Sequence, residues 1–545
     1  MKLHIIPLSG VEEVGRNCTI FEYGQDIIVV DLGFDFSGYE FPGADYLLPD
    51  TDYLEKNKQR IRGVVLTHGH LDHIGGVPYL IEKLGYPVVF GSKLAISLLQ
   101  EQLKERRITK AKTQIVDPEK SLNLGVFQID FFRVVHNIPD SFGLAIKTPL
   151  GVVVHTGDFK IDDNPADQKP LQKDKLKSLV KKGALALLSD STNAALPGRS
   201  VPEKQVGEII DQIIGRAEGR IIFTTFSTLI SRVGQVIKAC QKYGRKIALV
   251  GMSMQKTVDI AHKLGYLNLD EHLGMFVDFK EIGKYADKKI LVLVAGAQGI
   301  EGSSMVRIAE SKHWSVRIKR GDTVVLSSSI VPGNELAVHK MMDGLVNQGA
   351  RIIYRTVLGS GVHSSGHAFQ DELKEMLRLV RPKFFIPIEG QHYMQAAHID
   401  LAKEMGLRGQ NCFMLYNGQI LEIDERRQAR VLKKRVSHSV VLVEGNKVGI
   451  LNEEIFKIRD RMSESGVCVV FLPFPPASKK QGREVSVIVR GLTLNGQMIQ
   501  EIKNKTKKLA KKFGMKKNAK IKIESSLGDF ILNKTGKKPF VIVVT

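Results

Sequence analysis

Apolar residues in this chain fall into short runs, each closed by a polar or glycine-rich stretch. Runs at 26–31, 64–66, 131–136, 152–158, 185–190 and 384–388 are rich in Val, Ile and Phe and too short for helices, so they predict buried strands. Leu80, Ile81 and Leu84 predict a short helix stopped by Gly85. From about 200 the runs 220–226, 247–251, 290–294 and 323–326 alternate with helical patterns. The first of these is Val206, Ile209, Ile210, Ile213 and Ile214, and the alternation predicts a separate set of βαβ units. Residues 424–437 are charge-dense and read as a linker. Beyond 438, strands are expected at 440–443, 467–472 (inside an apolar run reaching 476) and 485–489, with helices at 452–464 and 496–513. In the second helix Met498, Ile499, Ile502, Leu509 and Phe513 form an apolar stripe. Lys503, Lys505, Lys507, Lys508, Lys511 and Lys512 fill much of the remainder, with Lys516, Lys517, Lys520 and Lys522 beyond; such a face is ordinarily solvated and alternatively forms a polyanion-binding track or a dimer surface.

Several strands end on chemistry. The loop after 64–66 reads Thr67-His-Gly-His-Leu-Asp-His-Ile-Gly-Gly76 and places His68, His70, Asp72 and His73 within six residues. A lone histidine is ordinarily structural. Three imidazoles and a carboxylate so close together suit one or two divalent cations, zinc first among them. The strand at 26–31 ends on Asp31, 131–136 on His136, 152–158 on Asp158 and 185–190 on Asp190. His155, within the strand run, reads as structural.

At 545 residues the chain exceeds one core, so two or three domains are expected. Hydrophobic content of 43% and charged content of 25% are those of a water-soluble globular protein. The formal net charge of +21 points to a polyanionic partner such as nucleic acid. Cys18, Cys240, Cys412 and Cys468 are scattered and form no CxxC pair, which argues for a reducing cytoplasm and against a thiolate zinc site. The opening residues are too poor in apolar residues for a signal peptide, and no apolar run approaches the ~18–20 residues of a membrane span.

The HxHxDH pattern at 68–73 is the signature of the metallo-β-lactamase superfamily, and the chain resembles it there. Asp190-Ser-Thr-Asn193 after an apolar strand, with Pro197-Gly198 close behind, resembles motif A of the β-CASP branch, and Val362-His-Ser-Ser-Gly-His367 resembles its motif B loop. Together with the 533–545 end, these segments resemble the ribonuclease J family. The resemblance implies an α/β fold: a metallo-β-lactamase αββα sandwich with an inserted β-CASP α/β domain and a small α/β C-terminal domain. The implied division is a core at 1–198 and 357–423, the insert at 199–356, the linker at 424–437 and a C-terminal domain at 438–545. It implies a metal-dependent ribonuclease acting 5′→3′ as an exonuclease, with endonuclease activity open, in RNA processing and decay in the bacterial cytoplasm.

By the same resemblance His68, His70 and His136 hold one metal, and Asp72, His73 and Glu389 the other, with Asp158 between them. Asp31 stands behind the ligands and orients the metal loop. Asp190, His367 and Asp72 serve proton transfer and orient the attacking water, and His363, Ser364, Ser365, Gly366 and His367 grip substrate phosphate. Two divalent ions per chain are expected, zinc foremost, with manganese or magnesium the alternatives at the second site. RNA is the expected partner, in a homodimer or homotetramer with no membrane association. Two departures stand out: residues 299–307 differ from the family's usual pattern, and Glu389 occupies the place of a histidine, with His392 a remote substitute. The alternatives are a catalytically weak RNA-binding paralogue serving as subunit of a nuclease complex, and a small-molecule hydrolase of the lactamase fold.

Overall fold

The computed structural model describes residues 1–36, 41, 43–166, 169–331, 333–354, 361–445, 447–450, 453–472, 484–514 and 518–544. The chain folds into two compact units. One comprises Met1–Phe36 and Asp45–Gly449, and the other is drawn mainly from Ile450–Thr545.

Two sheets stacked face to face form the core of the first unit. One has eight strands in the order 429–435, 419–423, 3–9, 18–23, 26–30, 61–65, 89–91, 113–115. The other has six, in the order 384–388, 186–190, 151–155, 142–148, 127–133, 122–124. Strand alternation assigns each residue its layer. Phe131, Val153, Leu188 and Ile386 enter the core between the sheets, with Phe21 and Ile28 from the opposite sheet. Their chain neighbours Phe132, Val154, Leu187 and Phe385 face outward under Leu176, Leu373, Met376 and Leu401 of the covering helices. On the far side Ile20, Val29 and Val64 are covered by Ile96, Leu99 and Leu103 of the helix Lys93–Glu105. The result is the expected αββα sandwich.

Residues 221–354 build a five-stranded sheet in the order 246–250, 290–294, 221–225, 323–327, 351–354, parallel throughout. Both faces are helix-covered, so its strands are continuously apolar. Ile221, Phe223 and Leu293 pack on one side with Val206, Ile210 and Val233, and Ile222, Val292 and Val324 on the other with Met305 and Met341. Strand order reverses beside 221–225, which opens a crevice at the carboxyl ends of the strands.

In the second unit, Val467–Phe471 pairs with Ser486–Arg490 and Phe540–Val544. Cys468, Val470, Val541 and Val543 pack against Ile502 and Leu509 of Gly496–Phe513 and Ile523, Leu527 and Ile531 of Ala519–Thr535. Lys516, Lys517, Asn452 and the expected apolar run beyond 472 lie outside the described residues, as does the boundary at 356/357.

The linker expected at 424–437 is corrected. Ala429–Arg435 is a strand at the edge of the eight-stranded sheet, antiparallel to Gln419–Ile423. Its charge density reflects that position, since an edge strand faces water and is kept from mispairing by cations such as Arg430, Lys433 and Arg435. The C-terminal domain likewise does not begin at 438. Val441–Glu444 pairs with Tyr46–Leu48, and the first unit runs on to Gly449.

Candidate metal centre

The loop 67–73 is fixed before any cation is considered. Asp31 sits at the end of its strand with φ of 60°, a left-handed conformation that costs a non-glycine residue and is held here by its contacts. Its carboxylate accepts from the Thr67 amide and the Thr67 hydroxyl, each at 2.8 Å, and from His73 Nδ1 at 2.8 Å. Backbone bonds from Leu32 N to His73 O and Asn17 N to Asp72 O press the strand end onto the loop. Gly33 permits this approach: a Cβ there would lie 1.6 Å from the Asp72 carbonyl oxygen. Asp31 stands behind His73, and its bond to Nδ1 leaves Nε2 to face inward.

Among the described residues three groups of ligand-type atoms converge, and all share Asp158; the third joins it to Asp190 and His367. In the first, His70 Nδ1 lies 3.1 Å from His68 Nε2 and 3.0 Å from His136 Nε2, and Asp158 Oδ2 lies 3.5 Å from each of the latter two. A tetrahedral zinc site with bonds near 2.0–2.1 Å has its ligand atoms about 3.3 Å apart. Three imidazole nitrogens at this spacing, those of His68 and His136 buried and that of His70 half-buried, fit a cation. Burial foremost, then neighbouring imidazoles, holds His68 and His136 well below the usual histidine range, and burial lowers His70 to about 4. All three are therefore neutral and ready to ligate. His136 is aimed by its Nδ1–H, which donates to Gly366 O at 2.8 Å.

In the second group His73 Nε2 is 3.3 Å from Asp158 Oδ1, 3.5 Å from Asp72 Oδ2 and 3.6 Å from Glu389 Oε1. Three carboxylates crowd one imidazole. Burial opposes a charge on His73, but Asp158, Asp72, Asp31 and Glu389 outweigh it and hold the ring well above its ordinary value. Burial, then Asp158, pushes Glu389 well above the carboxylate range. This anionic surplus fits a divalent cation, and its mostly oxygen donors suit a hard one. Glu389 stands at the end of Phe384–Ile388 with φ of 50°, its amide bonded to Gly10 O at 2.6 Å. Asn17, which no sequence motif marks, donates to Glu389 Oε1 at 3.0 Å and lies 3.1 Å from His73 Nε2. An asparagine outside any motif gives no sequence signal for this position.

Beside the cage Asp190 Oδ2 accepts from His367 Nδ1 at 2.8 Å. Burial works against the charge on His367, but Asp190 raises the ring to about 10; in turn Asp190, also opposed by burial, is lowered. Of the other expected phosphate-binding residues, His363 and Ser364 are buried at 2% and 1% exposure, and Ser364 Oγ accepts from Lys160 Nζ at 2.9 Å. Their side chains therefore face the interior. Ser365 Oγ accepts from Asn193 Nδ2 at 2.7 Å and from the His367 amide at 3.2 Å. Gly366 presses on His136, where a Cβ would lie 2.6 Å from the ring. His392 opens the helix His392–Glu404, 3.6 Å from Glu12, and belongs to none of the three ligand groups. His155 is buried, accepts from the Gly157 amide and is lowered to about 4 by burial, as a structural histidine.

Comparison with known proteins follows the same division. Residues 11–188 match the metallo-beta-lactamase superfamily, 218–345 the beta-CASP domain of ribonuclease J, 360–415 the Zn-dependent metallo-hydrolase RNA specificity domain, and 455–545 the ribonuclease J C-terminal domain. A ribonuclease J from Synechocystis is 40% identical over 470 residues, which is 86% of this chain and 72% of the relative. One from Thermus thermophilus is 36% identical over 99% of this chain and 95% of the relative. Ribonuclease J2 of Bacillus subtilis is 34% identical over 99% and 98%. A solved protein of unknown function from Enterococcus faecalis V583 is similar in fold, with a TM-score of 0.54 at 15% identity over 77% of this chain and all of the other. The chain belongs to the ribonuclease J family of metal-dependent RNA-cleaving hydrolases, which join a metallo-β-lactamase core to a β-CASP domain.

Proposed function

We propose that this ribonuclease degrades RNA 5′→3′ as an exonuclease, with internal cleavage as a second mode, using two divalent cations held by the two ligand groups around Asp158. His68, His70 and His136 would hold a zinc ion. Asp72, His73 and Glu389, with three carboxylates counting Asp158, would hold a harder ion such as manganese or magnesium. When bound, the pair supplies a nucleophilic water at neutral pH and neutralises charge on the phosphate. Asp72 orients that water. Asp190 holds Nδ1 of His367 and sustains its positive charge, so that Nε2 is the atom that delivers a proton to the departing 3′ oxygen. The insert caps the cleft, and the half-buried polar residues following its strands, among them Ser227, Thr228 and Ser329, contact the RNA backbone. The reading extends to a homodimer or homotetramer in the bacterial cytoplasm, supported by scattered unpaired cysteines and bacterial relatives. No helix among the described residues is long and apolar enough to cross a membrane.

The observation that carries the proposal is Asp158, whose Oδ2 faces His68 and His136 while its Oδ1 faces His73. The test is RNA of one sequence carrying a 5′-monophosphate or a 5′-triphosphate, incubated with purified protein of measured metal content. Mononucleotides released from the monophosphorylated 5′ end, lost in a His70→Ala variant that keeps its melting temperature, are the expected result. Near-parental turnover by that variant would refute the metal assignment. Glu389 favours a second reading, a weakly catalytic RNA-binding subunit of a nuclease complex. Absence of cleavage by metal-replete protein, with manganese supplied, would favour it.

A further inference from the structure

Two cations are buried beneath the loop that carries His367, and neither touches the metal cage. Lys160 and Arg232 are each 0% exposed, and Glu203 between them is 4% exposed. Lys160 Nζ bonds Glu203 Oε1 at 3.1 Å, and Arg232 Nη2 bonds Glu203 Oε2 at 2.7 Å. The cations reach on to the same loop. Arg232 Nη1 donates to Val362 O at 2.6 Å and Ser327 Oγ at 2.9 Å, Ser327 Oγ donates to Val362 O at 2.6 Å, and Lys160 Nζ donates to Ser364 Oγ at 2.9 Å. Burying ions is costly unless each is paired, and ordinary packing does not require three of them here.

The connections join parts that are far apart in sequence. Glu203 opens the insert's helix Glu203–Arg216, Arg232 lies on Ile230–Tyr243 and Ser327 ends Thr323–Ser327. Lys160 belongs to the core. It stands two residues after Asp158, and its amide bonds the carbonyl of Val135, the residue before His136, at 2.8 Å. One carboxylate thus ties the insert's helices to the segment of Asp158 and, through the Lys160 amide, to that of His136, and both cations grip the start of 362–367. His363 lies close enough to Glu203 to add to the positive field upon it, and burial opposes while Arg232 and Lys160 lower that carboxyl to about 2.

We infer that Lys160, Glu203 and Arg232 form a buried latch that ties the insert to the 362–367 loop and, through that loop, positions His367. They are positioning residues and meet no substrate. The inference rests on His367 being the proton donor. Arg232→Lys keeps the charge but lacks the planar fork that spans Glu203, Ser327 and Val362. Ser327→Ala removes one donor from Val362 O and no charge, and serves where the first variant does not fold.

The experiment compares RNA with bis(p-nitrophenyl) phosphate, whose leaving group needs no proton, in full-length metal-replete protein. His367→Ala is expected to slow RNA far more than the activated diester. Arg232→Lys is expected to lower kcat on RNA at least tenfold more than on the diester, with KM for RNA, melting temperature and metal content close to parental. Ser327→Ala should give the same substrate split at smaller amplitude. Latch variants that slow both substrates alike, or neither, beside a His367→Ala variant that behaves as expected, would overturn the latch alone. A His367→Ala variant that slows both alike would overturn the proton-donor reading and the latch with it.

Discussion

Replacing Gly366 by alanine tests how tightly the 362–367 loop and the first ligand group are coupled. A Cβ on Gly366 would lie 2.6 Å from His136 Cε1, 2.7 Å from its Nδ1 and 2.9 Å from Asn137 Cγ. Carbon atoms are comfortable at ~3.5 Å or beyond, so about 1 Å must open. The His136 ring has little room to give. It is 3% exposed, with His68 and His70 at ring-centroid distances of 4.8 Å and His367 at 5.1 Å, and its Nδ1–H is bound to the Gly366 carbonyl. Either His136 Nε2 leaves its place beside His70 Nδ1, or the loop lifts and carries His367 away from Asp190. Loss of the partner that orients a ligating histidine weakens metal affinity about 10–100-fold, and overpacking adds about 1–3 kcal/mol of destabilisation. Competition with a chromophoric zinc chelator measures the first quantity and thermal melting the second, with RNA turnover followed alongside. First-site zinc affinity and RNA turnover both within twofold of the parent would refute the reasoning.

Asp31→Asn keeps shape but removes the charge from the oxygens that accept from Thr67 and His73; second-site cation affinity is expected to fall about 10–100-fold while the first site holds, measured by metal titration. Glu389→His exchanges a carboxylate for an imidazole in the oxygen-rich group; it should shift second-site preference from manganese toward zinc, read by mass spectrometry of protein equilibrated with both ions, and unchanged occupancy would count against Glu389 as a ligand. His4 lies 3.8 Å from Glu22 and 3.3 Å from Glu422, and bonding to Glu22, opposed by burial and aided by Glu422, raises it above 6.5. A raised histidine stabilises the fold fully below pH 6.5 and loses that contribution as pH climbs through the higher folded value, so the parent should lose stability above pH 6.5 faster than His4→Gln in denaturant titrations; parallel curves would refute this.

The cage is legible where ligands are chain neighbours or end an apolar strand. His68, His70, Asp72 and His73 share one loop, and Asp31, His136, Asp158 and Asp190 each close a run whose period marks it as buried. The edge strand Ala429–Arg435 is not legible, because strands at a sheet edge drop the apolar alternation that identifies interior ones. His363 and Ser364 resemble substrate contacts by their neighbours in the motif, whereas local backbone geometry turns their side chains inward.

The amino-acid pattern alone determined the interior strands and the residue types at their ends, because hydrophobic periodicity and local spacing act over a few residues, whereas the layering followed from the family resemblance. Tertiary structure decided the pairings. Asn17 meets Glu389 across 372 positions, Lys160 meets Ser364 across 204, and Val441–Glu444 joins the core rather than a separate domain. No sequence feature marks Arg232 or Lys160 as buried, since a charged residue is buried only where distant segments supply its partners. Those partners come together only once the chain has folded.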